Sequence, residues 1–363
     1  MANELLRTTL LLPVRLWLRR CSVELPIDQT SVHRILVLRY DAIGDMIVTS
    51  ALFAVLKRLL PNVVIDVVAS PKNVTLLDDD ERVDRVMVYD RSFRSMMNVR
   101  SQCRDVKYDV VLSFVFNKTT ESGVVAALWG GRSATAVTIL HEARKEQYSA
   151  WFNVQVPLER NTMTMAAMQI EVVNALFGWT VDAVHERIDL RISDERRARA
   201  AHIVHRPSNA LHVIVNLSAG NWYRQWSEQR NEELITLLRS RFPNVVCSLM
   251  ADATRTTMAT TIASKFESNV RAIPGIDDLL TVVAATGQAD VVISPDTSIV
   301  HAASNMGTPV VVMYTQKATF INEWMPHGVP YRAVLTNEQE ELEAIEPQRV
   351  VDAVQDLLRT LER

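Results

Sequence analysis

Cysteine is scarce in this chain. Cys21, Cys103 and Cys247 are the three in 363 residues. They lie too far apart for a metal knuckle or a disulfide framework, and a reducing compartment is the simplest expectation. The eight histidines include no His-Glu-x-x-His pair, which removes that zinc-hydrolase pattern. No apolar run is long enough to cross a bilayer as a helix. The net charge of −3 gives no global argument for nucleic acid as a partner. No Gly-x-Gly-x-x-Gly follows the first strand-like run, so the dinucleotide fingerprint is missing, and no cofactor is expected. What remains is an ordinary globular composition, 48% apolar and 22% charged. At 363 residues the chain exceeds one ordinary core, and two domains are expected.

Residues 1–30 stand apart. Leucines and Trp17 are interleaved with Arg7, Arg15, Arg19 and Arg20, and Pro13 interrupts them. A secretory signal would place its charge first and its apolar stretch after. An amphipathic extension on an anionic membrane face fits this order, and so does a helix packed on the first domain. Residues 31–180 alternate strand-like and helix-like segments, as parallel strands with helices on both faces require. Strands are expected at 35–38, 63–68, 85–89 and 108–114. Residues 135–162 read as irregular, a candidate acceptor-side loop with His141, Arg144, Lys145 and Arg160. A helix over 162–178 closes this domain. Residues 181–210 read as a linker with a helix near 194–205. Residues 211–345 repeat the alternation, and 346–363 form a charged amphipathic helix that could reach back to the first domain.

Three loops carry candidate chemistry. The first lies in Arg34-Ile-Leu-Val-Leu-Arg-Tyr-Asp-Ala-Ile-Gly-Asp-Met46. Here a buried strand gives way to a turn at Gly44 and then a helix with Val48, Leu52, Val55 and Leu59 on one stripe. In open α/β sheets ligands bind at the carboxyl ends of strands, which places Asp45 at the mouth of a crevice. Asp45 is read either as a helix cap or as a working carboxylate. Asn117 and Lys118, after the fourth strand, are further acceptor-side candidates. The second loop, Leu217-Ser-Ala-Gly-Asn-Trp-Tyr-Arg-Gln-Trp-Ser227, combines small residues with one cation, Arg224. Ser218 and Gly220 would let a ligand approach the backbone, and Arg224 suits a phosphate. The third is Ser294-Pro-Asp-Thr-Ser-Ile-Val-His-Ala-Ala303. A helix opening near Thr297 and Ser298 makes an anion site, Asp296 can cap it, and His301 shares a face with Thr297.

The first and third stretches, the latter followed by Gly307-Thr-Pro309, resemble glycosyltransferase family 9, the ADP-heptose:lipopolysaccharide heptosyltransferases. The loop ending at Trp226 resembles the family's segment with a cation and a tryptophan. The resemblance spans residues 34 to about 330. It implies an α/β protein of GT-B type: two Rossmann-like domains with parallel sheets facing across a cleft, acceptor on the first and nucleotide sugar on the second. It implies inverting transfer without a divalent metal, with heptose from ADP-heptose moving to a lipopolysaccharide core or related glycan acceptor. By motif position Asp45 takes the place of the general base, and Arg224 that of a lysine on the donor phosphates. Asp296, Thr297 and His301 fall on donor-site positions. Ser298 stands where the family usually has glycine. A cytoplasmic enzyme is implied, with residues 1–30 as a candidate attachment to the inner membrane face. The rival readings are a nucleotide-sugar epimerase and a non-catalytic sugar-nucleotide-binding protein on the same fold.

Overall fold

The structure is a computed structural model that describes residues 23–115, 120–266, 269–316, 320–337 and 340–361. Most of the extension expected at 1–30, together with Asn117 and Lys118, lies outside the described residues. The chain divides into two compact units, Met1–Glu159 with Ala166–Ala183, and Arg160–Met165 with Val184–Arg363.

The first unit holds a six-stranded sheet of β1 (Arg34–Arg39), β2 (Val64–Ala69), β3 (Arg85–Val88), β4 (Val110–Ser113), β5 (Thr135–Ile139) and β6 (Val154–Val156). All pairs are parallel and the spatial order is β3-β2-β1-β4-β5-β6. Its helices are α1 (Ile43–Leu59), α2 (Phe93–Cys103), α3 (Thr120–Gly130), the single turn α4 (Lys145–Tyr148) and α5 (Met165–Phe177). Leu36, Leu38 and Tyr40 join one core with Val99, Cys103, Val125 and Trp129 from α2 and α3. Side chains alternate across a strand, so Val37 and Arg39 point to the other face. Residues 135–162 are therefore not an irregular loop: they contain β5, α4 and β6. Helix α1 is buried over most of its circumference rather than along one stripe, and Leu59 is partly exposed.

The second unit repeats the design. Its strands are β7 (Leu211–Asn216), β8 (Val245–Met250), β9 (Val270–Ala272), β10 (Val291–Pro295), β11 (Val310–Tyr314) and β12 (Tyr331–Leu335). They are all parallel, in the order β12-β11-β10-β7-β8-β9. Its helices are α6 (Asp194–Val204), α7 (Glu228–Arg241), α8 (Thr256–Ser264), α9 (Leu279–Thr286), α10 (Ser298–Met306) and α11 (Pro347–Leu361). The segment read as a linker is largely structured here, since α6 packs on α9. Helix α11 lays Val350, Val351, Val354 and Leu357 into the core shared with α7 and α8. Arg160 belongs to this unit: it grips the buried Glu323 carboxylate at 2.5 and 2.7 Å, and the Asn161 N–H donates to the same group.

In both sheets the order reverses beside the first strand of the unit, between β1 and β4 and between β7 and β10. A crossover starting on one side of this point covers one face of the sheet and its neighbour covers the other, so the loops part there.

His212 on β7 is fully buried. Its Nδ1 donates to the Gln288 carbonyl at 2.7 Å, and its Nε2 accepts from the Ser248 hydroxyl at 2.8 Å. Burial holds its pKa below the ordinary 6.5. The folded state thus resists the proton that the unfolded chain accepts. The contribution of a neutral His212 is complete above the unfolded pKa and is lost as pH falls below it. The difference in urea unfolding free energy between wild type and His212→Gln should therefore shrink from pH 7.5 to pH 5. A difference independent of pH over that range would contradict the assignment.

Candidate active site

The first-unit site is built around Arg39, the last residue of β1. Its side chain has no exposed surface. Nη2 donates to Asp45 Oδ1 at 2.6 Å and Nε to the Asp45 carbonyl at 3.0 Å. Nη1 donates to Asp41 Oδ2 at 3.2 Å and to the Phe114 carbonyl after β4. Asn73 fastens the strand end, donating to the carbonyls of Arg39 and Ala42 at 3.0 and 3.1 Å. Asp45 is the third residue of α1, and its Oδ2 accepts the Ala42 N–H at 3.2 Å. An acid in the first turn meets unpaired N–H groups and the positive end of the helix dipole. Its side chain keeps 13% of its surface. Burial raises the Asp45 pKa, against the pull of Arg39. Burial also pushes Asp41 up to about 7, again opposed by Arg39 and helped by the Asp45 charge.

Gly44, read from the sequence as a turn residue, is instead the second residue of α1, buried and without a positive φ. Arg39 and Asp41 were not singled out by the sequence reading. The signal was an arginine continuing a buried apolar run, followed by a carboxylate two residues on.

The second-unit site lies at the carboxyl ends of β7 and β10. Asn216 ends β7 and is buried. Its Nδ2 donates to the Ser218 carbonyl, the Ser294 hydroxyl and the Thr297 hydroxyl at 3.1, 3.0 and 3.2 Å. Its Oδ1 accepts the Ser218 N–H at 3.1 Å. The Ser218 hydroxyl is already engaged, accepting the Asp252 N–H at 2.7 Å. Gly220 is exposed, and a Cβ there would meet nothing within 4 Å. Trp226 pins the loop, burying its ring in the core and donating Nε1 to the Leu342 carbonyl at 2.8 Å.

Thr297, not Asp296, caps α10: its hydroxyl accepts the Ile299 N–H at 3.3 Å. Asp296 is held by Arg224, with Nη1 2.9 Å from its Oδ2 and 3.2 Å from its carbonyl. Arg224 keeps 26% of its side-chain surface. Burial raises the Asp296 pKa and Arg224 lowers it. Ser298 opens the helix. His301 is buried one turn in, its ring 5.9 Å from that of Trp324 in an edge contact. The structure therefore gathers Ser218, Arg224, Asp296, Thr297 and Ser298 at one sheet edge, with Asn216 as the unforeseen bracket. What this edge offers an anion is an arginine and a helix N-terminus. Among the described residues, no three His, Cys, Asp or Glu side chains are grouped to hold a metal ion.

Arg224→Ala should weaken binding of ADP by about 1.5–3 kcal/mol, the scale of a hydrogen bond to a charged group. Calorimetry with ADP alone reads this directly, and wild-type affinity in the variant would remove Arg224 from the anion site.

Comparisons with known proteins give the family. No curated protein matches the sequence. Solved structures match over nearly the whole chain. A glycosyl transferase family 9 protein from Veillonella parvula is 18% identical over 93% of this chain and 99% of its own, with a TM-score of 0.75. The ADP-heptose lps heptosyltransferase II of E. coli is 19% identical, covering 91% of this chain and 100% of that one, TM-score 0.66. The E. coli heptosyltransferase WaaC, solved with ADP, is 16% identical over 90% and 97%, TM-score 0.68. At these identities the likeness fixes the fold. The family model for glycosyltransferase family 9 (heptosyltransferase) matches residues 96–351, which include both second-unit loops and stop short of the Asp45 loop. With more than half of its length matched, the chain belongs to glycosyltransferase family 9, the heptosyltransferase family.

Proposed function

We propose that this glycosyltransferase moves a sugar from a nucleotide diphosphate donor to a glycan hydroxyl with inversion, in the simplest case a heptose from ADP-heptose to a lipopolysaccharide core or related acceptor. The observation that carries the reading is the pairing of Arg224 with the opening of α10 at the reversal point of the second sheet. A diphosphate is the anion that such a cradle suits. The ADP bound to the fold relative WaaC makes ADP the first ligand to test.

In the proposed step an acceptor hydroxyl attacks the anomeric carbon as the bond to the diphosphate breaks on the opposite face. The sugar passes through an oxocarbenium-like transition state. Asp45 takes the hydroxyl proton. Its pKa, raised by burial, makes the ionised carboxylate a better proton acceptor than a surface aspartate. Arg224 and the N–H groups of Thr297 and Ser298 meet the charge that grows on the leaving diphosphate. Asp296 shares Arg224 with the phosphates and keeps the guanidinium in place when no donor is bound. Residues 1–30, with their arginine and leucine mixture, would hold the enzyme at an anionic inner membrane face. Deleting residues 1–22 should lower cosedimentation with anionic vesicles and spare activity on a soluble acceptor.

Asp45→Asn tests the base. Asparagine keeps the size and much of the capping ability but accepts no proton at neutral pH. Turnover should fall roughly 10²–10⁴-fold, the range for loss of general-base help. The substitution also takes one carboxylate from buried Arg39, so some loss of melting temperature is expected while Asp41 remains paired. ADP affinity should stay at the wild-type value. Rates are compared well below both melting temperatures, and near-wild-type turnover there would end the base assignment. Incubating donor without acceptor separates transfer from epimerisation of the donor sugar.

A further inference from the structure

The Arg39 guanidinium serves two carboxylates. Nη2 takes Asp45 and Nη1 takes Asp41, at 2.6 and 3.2 Å, and the guanidinium is wholly shielded from water. The two acids are not equally held. Asp45 has a second donor in the Ala42 N–H. Asp41 Oδ1 is buried with no hydrogen-bond partner. A buried carboxylate with one oxygen unsatisfied is the easier of the two to protonate. Two acids on one cation titrate as a pair, and the state of one sets the field at the other.

We propose that Asp41 is a positioning residue for the Asp45 base: by sharing Arg39, it sets how much of the guanidinium charge falls on the Asp45 carboxylate. With Asp41 neutral, Arg39 is turned wholly on Asp45 and weakens it as a proton acceptor. With Asp41 ionised, the guanidinium is divided and a second negative charge stands close by, so Asp45 becomes the stronger base. Burial places that change near pH 7. The charged groups facing Asp41 are Arg39, Asp45 and Arg91. Tyr40 adjoins it, with Tyr89 and Glu121 beyond. Arg91 lies over the Tyr40 ring and 3.9 Å from Glu121, so part of its charge is already matched. Arg39 remains the one cation hydrogen-bonded to both acids among the described residues.

This proposal rests on Asp45 being the base, but its first test needs neither donor nor acceptor. Carboxyl carbon NMR of the full-length protein, labelled at aspartate, follows the Asp45 resonance from pH 4 to pH 9. In wild type the resonance should move in two steps, its own ionisation and a second near pH 7 as Asp41 ionises. In Asp41→Asn the second step should vanish and the first remain. Asp41→Glu, which restores a carboxylate, should restore it. A single Asp45 step in wild type overturns the proposal without any variant, and so does a second step that persists in Asp41→Asn. The kinetic arm uses ADP-heptose and a soluble glycan acceptor. The rise in kcat near pH 7 should be lost in Asp41→Asn and kept in Asp41→Glu, whereas a purely structural Asp41 would lower kcat equally at every pH. Failure of transfer with these substrates bears on the proposed function alone, because the NMR steps are read without them.

Discussion

One buried polar side chain ends the first strand of each sheet and ties the reversal point together. In the first unit it is Arg39, in the second Asn216, each the last residue of its strand. Each reaches from its own strand to the neighbour across the reversal. Arg39 binds the Phe114 carbonyl after β4, and Asn216 binds Ser294 on β10 and Thr297 beyond it. Loops at a reversal point diverge because their helices cover opposite faces. Without a bracket, the strand ends would leave unpaired groups where the sheet stops. The brackets also fix the first residues of α1 and α10, whose N–H groups and side chains are the chemistry each unit presents. The geometry of both loops thus depends on two buried residues at strand ends.

The two brackets differ in charge, and the difference assigns different work to the ion pairs beside them. Arg39 is sealed off, and its partners are built into the fold. Removing a charge from a buried pair costs about 3–5 kcal/mol because the other is stranded. Two carboxylates on one guanidinium reduce that risk, since either can carry the pairing. Arg224 and Asp296 keep 26% and 14% of their side-chain surfaces. A partly exposed pair of this kind can exchange one anion for another at small cost, since water reaches both groups. The first pair is sealed into the scaffold; the second leaves a cation partly exposed at the carboxyl ends of the strands.

Much of this was legible in the sequence because the central strands are buried on both faces. Runs such as Ile35–Leu38 and Val213–Val215 are apolar throughout, as strands buried on both faces of a parallel sheet are. Two strands, β5 and β6, lie in the stretch that reads as irregular. Thr135-Ala-Val-Thr-Ile139 mixes hydroxyls with apolar groups, and β6 and β9 have three residues each, too few to show a period. Their pairing comes from neighbours far along the chain. The candidate loops were found from strand-end position, but their hydrogen bonds were not. Asp296 looked like the cap by spacing, yet a nearby cation claimed it and left the cap to Thr297. Gly44 reads as the turn residue, yet the chain turns before it at Asp41 and Ala42. Arg39 was hidden because arginine at a strand end is ordinarily a surface residue, and its burial depends on Asp41, Asp45 and the β4 end arriving together.

The sequence left Asp45 with two readings, cap and base, and its contact with the Ala42 N–H is compatible with both. A carboxylate has about four acceptor positions on two oxygens. Oδ2 takes the Ala42 N–H and Oδ1 takes Arg39, which occupies one position on each. The side chain still keeps 13% of its surface exposed. Capping therefore does not use up the carboxylate. It fixes the orientation of the free lone pairs, and a base that must receive a proton in one direction benefits from that fixed orientation. The charge-assisted bond to Arg39 acts the other way on strength, holding the pKa down while burial lifts it. Both partners act on both properties: the Ala42 N–H and the Arg39 guanidinium each orient the carboxylate and each hold its pKa down against burial.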